Sequence, residues 1–178
     1  MQMKTVFAQS MKKINENFRE TFIELFGGGS AEIIYSDPQN VLESELEIEV
    51  QPPGKNVKHI SLLSGGEKAL TAIAILFAIL KLRPMPFCLL DEIEAALDEA
   101  NVGRFANYLK QFSQTTQFIV ITHRKPTMEL ADNLYGVTME EKGVSKIVSV
   151  KLEAWSDDNL AIENKAVQVN AAGEGVLA

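Results

Sequence analysis

Apolar residues recur at helical spacing near the start of the chain. Over residues 3–25 they fall three or four positions apart, with charged residues between them: Met11, Ile14, Phe18, Phe22 and Leu25. This period predicts an amphipathic helix, which either packs on its own domain or forms the end of a coiled coil. A run of three glycines at residues 27–29 is expected to end the helix.

The apolar period shortens to two after these glycines. Residues 31–35 and 46–50 predict two half-buried strands, joined by a turn at residues 37–40. Three glutamates between residues 45 and 49 alternate with apolar side chains and are most simply the solvated face of the sheet. A loop at residues 52–56 leads to the next element.

The middle of the chain is apolar enough to be buried. Residues 67–81 are apolar almost all round, which predicts a buried helix that ends before two prolines. Residues 87–90 and 117–122 predict buried strands of the parallel-sheet kind. Between them Asp98 is placed to cap a helix with one apolar face, formed by Val102, Phe105, Leu109 and Phe112. Strand, helix and strand in this order predict an α/β fold with a crossover connection.

The last third of the chain has weaker patterns. A short helix is predicted over about residues 127–133, followed by a hairpin over residues 135–152 that turns at residues 141–143. Residues 156–178 are acidic, rich in alanine and asparagine and without a period, so we expect a disordered tail or leftover expression-vector sequence. Residues 1–155 are therefore predicted to form one lobe.

Composition narrows the class of protein. The chain has 178 residues, of which 46% are apolar, and this suffices for one domain with a buried core. Its longest apolar stretch, residues 72–80, is far shorter than the ~20 residues that span a bilayer, so no membrane association is expected. Cys88 is the single cysteine, which favours a reducing, cytoplasmic compartment. A net charge of −7 argues against strong nucleic-acid binding by this chain alone.

Ser64 and Glu67 stand three residues apart at the start of the buried helix, with Gly65 and Gly66 between them. Serine and glutamate at this spacing form a capping box worth ~1 kcal/mol. A cap does not explain the glycines, because each gives up as much as ~1 kcal/mol of helix propensity relative to alanine. Bare backbone N–H groups at a helix N-terminus suit a phosphate, so we favour an anion site over a simple cap.

Asp91 and Glu92 directly follow the first buried strand. An acidic helix start is the plain interpretation, but the carboxyl ends of strands are also where α/β sheets place ligand chemistry. There Asp91 could hold Mg²⁺, and Glu92 could polarise a water for attack on a γ-phosphate. His123 ends the neighbouring strand and could bond a γ-phosphate oxygen, although a lone histidine is more often structural, as we interpret His59.

The order of these motifs resembles that of the ABC-type ATPases. More closely, residues 63–70, 90–102 and 117–124 are similar to the C-terminal half of the head domain of a bacterial SMC (structural maintenance of chromosomes) protein. The resemblance runs from about residue 5 to 153. It implies the C-terminal lobe of an ABC-type head with a mixed sheet and flanking helices. Residues 1–26 would then be the root of a coiled-coil arm.

The resemblance also implies which nucleotide each motif would serve. Asp91 would bind Mg²⁺, Glu92 would be the catalytic carboxylate and His123 the switch histidine for the ATP on this head. Ser64, Gly65 and Gly66 would contact the γ-phosphate of ATP on an opposing head, and Asp98 would cross the interface between the two heads.

Partners and location follow from the same resemblance. They are the N-terminal half of the head, a second head in an ATP-dependent dimer, the winged-helix domain of a kleisin subunit, and DNA through the full complex. The function implied is ATP-driven head engagement and release in chromosome condensation and segregation. The expected location is the cytoplasm, at the nucleoid.

One motif of the ATPases is missing from the sequence. No G-x-x-x-x-G-K-[ST] occurs, and the Gly54-Lys55 pair follows two prolines and precedes Asn56, which rules it out as a P-loop. We therefore expect no ATPase activity without an N-terminal half that carries the P-loop.

Three other interpretations remain open. A transporter ATPase domain would carry its P-loop upstream in the same chain. A related DNA-repair or recombination ATPase with coiled-coil arms fits the same motifs. A docking module with degenerate ATP chemistry fits less well, because Asp91, Glu92 and His123 are all present.

Overall fold

The computed structural model describes residues 2–56, 58–151, 167–169 and 175–177. The chain divides into two compact units, Met1–Thr127 and Met128–Ala178. The elements of the first unit are α1 (Gln2–Phe26), β1 (Ser30–Tyr35), β2 (Leu46–Gln51), a 3-10 turn (Ile60–Leu62), α2 (Gly65–Leu82), β3 (Phe87–Asp91), α3 (Glu99–Phe112) and β4 (Gln117–Ile121). The next helix, α4 (Lys125–Glu129), begins in the first unit and ends just past its last residue.

Helix α1 buries the aromatic part of its predicted apolar face. Phe18 and Phe22 are fully buried, and the rings of Phe22 and Phe26 stack with their centres 4.0 Å apart. The glycines that follow all have positive φ angles, and a Cβ on Gly29 would lie 2.3 Å from the carbonyl oxygen of Gln51. Only glycine fits there, so the run both ends the helix and admits the chain to β1.

Helix α2 forms the centre of the core, as its apolar sequence predicts. Leu70, Ala74, Phe77 and Ala78 are fully buried. The ring of Phe77 lies 5.4 Å from that of Phe112 in α3 and 6.1 Å from that of Phe118 in β4. These contacts fasten α3 and the β3–β4 pair to α2.

The strands of the first unit form two separate pairs, where the sequence predicts one mixed sheet. Strands β1 and β2 pair antiparallel, while β3 and β4 pair parallel with Leu89 opposite Ile119. The two pairs contact different helices, because β1 is bonded to Asn15 of α1 through Ile33, whereas Phe118 of β4 packs on Phe77 of α2.

Only one face of the β3–β4 pair is covered, which corrects the prediction of strands buried on both faces. Leu90 is buried, and Cys88, Phe118 and Val120 pack against the core on the same face. The opposite face exposes four large apolar side chains to about half or more of their area: Phe87 59%, Leu89 58%, Ile119 51% and Ile121 50%. An apolar sequence indicates that both faces of a strand can be buried. It does not indicate whether the second face packs against the same chain or against another molecule.

The short helix α4 begins and ends earlier than predicted. It covers Lys125–Glu129 instead of about residues 127–133. Pro126 explains the early start, because proline is favoured in the first turn of a helix and rare further inside. The end is early because Asn133 already belongs to a strand, where it pairs with Lys151.

The second unit contains the predicted hairpin. Strands β5 (Asn133–Glu141) and β6 (Val144–Lys151) pair antiparallel, and Gly143 takes a positive φ in the turn. Two further strands, β7 (Val167–Val169) and β8 (Gly175–Leu177), pair with each other. The remainder of the predicted tail at residues 156–178 lies outside the described residues, so its disorder remains a prediction, as does a single lobe over residues 1–155.

In the described part of the chain, every helix is too short or too polar to cross a membrane.

Candidate functional site

Ser64 and Glu67 form a complete capping box at the start of α2. The Ser64 Oγ accepts a hydrogen bond from the Glu67 N–H at 3.3 Å, and a Glu67 carboxylate oxygen accepts from the Ser64 N–H at 3.0 Å. The capping interpretation is therefore correct for these two side chains.

Lys55 joins this cap from the preceding loop, a contact that the sequence did not predict. Its ammonium group lies 2.9 Å from a carboxylate oxygen of Glu67. The hydrogen bond from Lys55 lowers the pKa of Glu67, the bonds from Ser64 act in the same direction, and burial opposes them. The carboxylate is therefore held in its charged form at the helix tip.

Gly65 and Gly66 have different reasons to be glycine. A Cβ on Gly66 would lie 3.2 Å from the carbonyl oxygen of Ala96, so the close approach of the segment before α3 favours glycine there. A Cβ on Gly65 would meet nothing within 4 Å. Packing within the chain therefore explains why residue 66 is a glycine, but it does not explain the glycine at position 65. Only the backbone N–H of Gly65 still supports an anion site at this helix tip.

Asp91 and Glu92 lie where the sequence predicts, at the carboxyl end of β3. Asp91 is exposed as the last residue of the strand. Glu92 has a φ angle of 46° and is the only non-glycine residue with positive φ among those that the structure describes. Its N–H donates to the carbonyl of Ile121 in β4 at 3.0 Å. Such strained backbone is uncommon and clusters at functional sites.

The structure brings His123 and Glu92 together. The Nδ1 of His123 lies 3.3 Å from a carboxylate oxygen of Glu92, and both side chains are more than half exposed. The parallel pairing of β3 and β4 places them side by side, because Asp91 is opposite Ile121 in the register. The two residues predicted to be catalytic thus form one exposed pair.

Asp98 caps α3 as predicted. Its carboxylate accepts hydrogen bonds from the N–H and the side-chain amide of Asn101, each at 2.9 Å. His59, interpreted as structural, lies in an isolated backbone bridge with Glu49 and takes no part in the site.

Asp91 fits a magnesium ion that is held mainly by phosphate oxygens. In the described residues, no group of three histidine, cysteine, aspartate or glutamate side chains is placed to bind a metal. Mg²⁺ commonly uses one or two carboxylates and takes its other ligands from substrate phosphates and water. An exposed aspartate beside Glu92 supplies that type of ligand.

Glu94 is a further residue of this region that sequence analysis missed. Its side chain is buried and accepts hydrogen bonds from Thr122 and Thr127. In the sequence it is one of three acidic residues between positions 91 and 94, and nothing distinguishes a buried glutamate from an exposed one there.

The fold and these motifs define a class of protein, the SMC-type ATPase heads. A structure described as "Structural biochemistry of ATP-driven dimerization and DNA stimulated activation of SMC ATPases" matches 82% of this chain and 88% of its own, with 51% identity and a TM-score of 0.77. "Crystal structure of the SmcHead bound to the C-winged helix domain of ScpA" matches 84% of this chain and 46% of its own, with 51% identity and the same TM-score of 0.77. The SMC head domain from Thermotoga maritima matches 80% of this chain and 48% of its own, with 45% identity and a TM-score of 0.64.

Sequence comparison identifies the family. The family described as RecF/RecN/SMC N terminal domain matches residues 2–146, and the chain belongs to it. The Chromosome partition protein Smc of Bacillus subtilis (strain 168) is 64% identical over 147 residues, and that of Clostridium kluyveri (strain NBRC 12016) is 61% identical over 150. The matches cover 83% and 84% of this chain but 12% and 13% of those relatives, so the chain spans a small part of their length. The predicted resemblance to SMC heads is confirmed at this level.

Proposed function

We propose that this chain is the C-terminal half of an SMC-type head, which binds and hydrolyses ATP together with an N-terminal half that carries the P-loop. The observation that carries this proposal is the exposed apolar face of the β3–β4 pair. It lies directly below Asp91, so one surface combines a candidate catalytic end with an incomplete sheet.

A parallel sheet normally has both faces covered. Burial of apolar surface contributes about 25 cal/mol per Å², so side chains such as Phe87 and Leu89 gain stability under a second layer. Among the residues that the structure describes, no third strand bonds to the pair, so its edges are open to further parallel strands. Because the chain contains no P-loop, the N-terminal half of the head is the partner that would supply both the missing strands and the phosphate cradle.

The strand ends have the groups that ATP hydrolysis requires. Asp91 would bind the magnesium ion of the nucleotide, and Glu92 would polarise the attacking water. His123, 3.3 Å from Glu92, would donate a hydrogen bond to a γ-phosphate oxygen. Loss of that phosphate on hydrolysis removes the contact and would let the heads separate.

The tip of α2 would act on the nucleotide of a second head. Ser64 and Glu67 are engaged in the cap, whereas Gly65 leaves its backbone open to a γ-phosphate from outside. Asp98 lies near this tip, since its backbone nitrogen is 4.0 Å from the position of a Cβ on Gly66. This proximity supports a role for Asp98 where two heads meet around ATP.

A kleisin winged-helix domain is the further partner that we propose, because a matching SMC head was solved with such a domain of ScpA. The β5–β6 hairpin offers a surface for it, since three alternate side chains of β5 are largely exposed: Tyr135, Val137 and Met139. Titration with an isolated winged-helix domain tests this surface. Binding that survives Val137→Glu would exclude it.

The proposed setting is chromosome condensation and segregation at the nucleoid, with DNA bound by the full complex. A coiled-coil DNA-repair or recombination ATPase is the alternative, because the family also includes RecF and RecN. The Bacillus subtilis and Clostridium kluyveri relatives, which share more than half of their matched residues with this chain, are Smc proteins, and this favours the SMC assignment.

Co-purification with a P-loop-containing N-terminal half tests the proposal. We expect a stable complex that hydrolyses ATP, whereas the chain alone does not. Leu89→Asp places a charge on the exposed apolar face and should abolish the complex without unfolding the chain, because Leu89 is 58% exposed. Glu47→Lys, on the exposed part of β2, is the control and should leave the complex intact. A Leu89→Asp variant that assembles and hydrolyses ATP normally would contradict the proposal.

A further inference from the structure

Glu94 is a buried carboxylate that accepts hydrogen bonds from two threonines. It is 1% exposed, and its Oε1 accepts from the Thr122 hydroxyl at 2.5 Å and from the Thr127 hydroxyl at 3.2 Å. Its Oε2 has no hydrogen-bond partner in the part of the chain that the structure describes. Burying a carboxylate is costly unless it is well bonded, so its retention beside the strand ends calls for a reason.

The hydrogen bonds of Glu94 continue into a network that joins two segments. The Thr122 hydroxyl, which donates to Glu94, accepts from the N–H of Arg124 at 3.0 Å. The guanidinium of Arg124 then donates to the carbonyl of Leu97 at 3.2 Å. The turn after β3 and the segment after β4 are therefore held to each other by side chains from both.

The two candidate catalytic residues belong to these same segments. Glu92 begins the turn, in which the N–H of Ala95 donates to the Glu92 carbonyl at 3.0 Å and that of Leu97 to the Glu94 carbonyl at 3.0 Å. His123 lies in the chain between Thr122 and Arg124, which are joined by the hydrogen bond from the Arg124 N–H to the Thr122 hydroxyl. Glu94 thus anchors the backbone on both sides of the Glu92–His123 pair.

The contact between Glu92 and His123 is too weak to fix the positions of the two side chains by itself. A contact of 3.3 Å between two side chains that are 67% and 53% exposed contributes little in water. The φ of 46° at Glu92 is also unfavourable without support from neighbouring structure. The hydrogen bonds of Glu94, Thr122 and Arg124 lie in the same two segments and can supply that support.

We infer that Glu94 is a positioning residue, which holds His123 against Glu92 by anchoring Thr122. The expected effect of Glu94 on the rate of ATP hydrolysis rests on the proposed function. Its expected effect on the position of His123 does not. Catalytic groups must keep their place closely, since a displacement of about 1 Å can cost about 100-fold in rate.

Ring signals of histidine give a structural readout that needs no ATPase activity. The chain has two histidines, so NMR of histidine-labelled protein shows His123 with His59 as an internal control. We expect Glu94→Ala and Thr122→Val to shift the His123 signals and leave those of His59 in place. Thr127→Val is the matched control, because it removes the longer hydrogen bond to the same oxygen and, unlike Thr122, is not adjacent to His123 in the chain; it should have the smaller effect.

Kinetics of the head assembled from both halves give the second readout. Glu94→Ala is expected to lower kcat by about 10- to 100-fold with KM for ATP unchanged, because the loss is one of alignment. Glu94→Gln should rescue most of the activity, since an amide oxygen can accept both threonine hydrogen bonds.

The outcomes separate this inference from the proposed function. An assembled head that never hydrolyses ATP would contradict the proposed function, while the histidine signals would still decide the role of Glu94. Unchanged His123 signals in folded Glu94→Ala would overturn the inference. Should that variant fail to fold, unchanged signals in Thr122→Val would overturn it instead.

Discussion

The tip of α2 and the ends of β3 and β4 are both candidate phosphate sites, but different forces hold them. At the tip, Ser64 and Glu67 bond to each other within four residues of chain. At the strand ends, Glu92 is strained and pairs with a residue 31 positions away, over a buried network. The capping box at the tip is therefore formed by neighbouring residues, with Lys55 added from the preceding loop, whereas the strand ends depend throughout on contacts between distant segments. Variants of the tip can therefore be tested by the free energy of unfolding, and variants of the strand ends by the rate of ATP hydrolysis.

Glu92→Gln gives the largest expected effect and changes the strand ends alone. The amide cannot polarise water as a carboxylate does, so turnover of the assembled head should fall about 100- to 10,000-fold. ATP binding should persist, because Asp91 and the P-loop of the N-terminal half are untouched, and head dimers should accumulate, because the tip of α2 is intact. Hydrolysis and size-exclusion chromatography in ATP measure the two effects.

The control for Glu92→Gln is Glu47→Gln, which alters an exposed glutamate on β2. It should leave both hydrolysis and the amount of dimer unchanged. Hydrolysis by Glu92→Gln at the unmodified rate would show that another residue polarises the water.

The same contrast explains how much of the molecule could be predicted. The capping box, the Asp98 cap and the helix at α1 were predicted correctly, since each depends on residues within a few positions of one another. The parallel order of β3 and β4 followed from the strand–helix–strand pattern. Local chemistry and period were sufficient for these features.

Individual side-chain contacts between distant segments, such as those of Lys55 and Glu94, could not be predicted. The sequence around Lys55 excludes a P-loop, but a flexible lysine in a loop gives no sign of the carboxylate that it will contact. Glu94 has the sequence character of a surface residue, yet it is buried and bonded to Thr122 and Thr127. The uncovered face of β3–β4 was missed for a related reason, because apolar strands predict burial without identifying the molecule that provides it.

Gly65→Ala and Gly66→Ala sharpen the comparison within the tip itself. A Cβ on Gly65 meets open space, so alanine should stabilise the chain by about 0.5–1 kcal/mol through helix propensity. A Cβ on Gly66 would lie 3.2 Å from a backbone carbonyl, so its alanine variant should gain less stability or lose some. Urea unfolding of the two variants measures the difference.

ATP-dependent dimerisation of the assembled head should rank the same variants differently. Alanine at position 65 should weaken dimers despite the more stable fold, because a methyl group now stands where phosphate would approach. Dimers of Gly65→Ala as strong as those of the unmodified head would remove the main support for an anion site at the tip.

Acid has the smallest expected effect and acts on the tip through Glu67. The hydrogen bond from Lys55 lowers the pKa of this carboxyl in the folded chain, so its charged form stabilises the fold above its unfolded pKa. That stabilisation is lost as the pH falls through the lowered folded pKa, where Glu67 takes up a proton. Lys55→Met removes the main cause of the lowered pKa of Glu67 and should therefore lower the free energy of unfolding slightly at pH 7. The loss should be less than about 1 kcal/mol, because the Lys55 side chain is half exposed.

The difference in stability between Lys55→Met and the unmodified chain should disappear once the pH is below the folded pKa of Glu67, because neither protein then has a charged partner for residue 55. High salt at neutral pH should reduce the same difference by screening the pair. Lys12→Met, at an exposed position on α1, is the control for loss of a lysine charge in general. Urea midpoints at several pH values measure all three proteins. A difference that persists in acid would mean that Lys55 stabilises the tip through packing of its methylene groups, and the α2 tip would then depend on charge less than its geometry indicates.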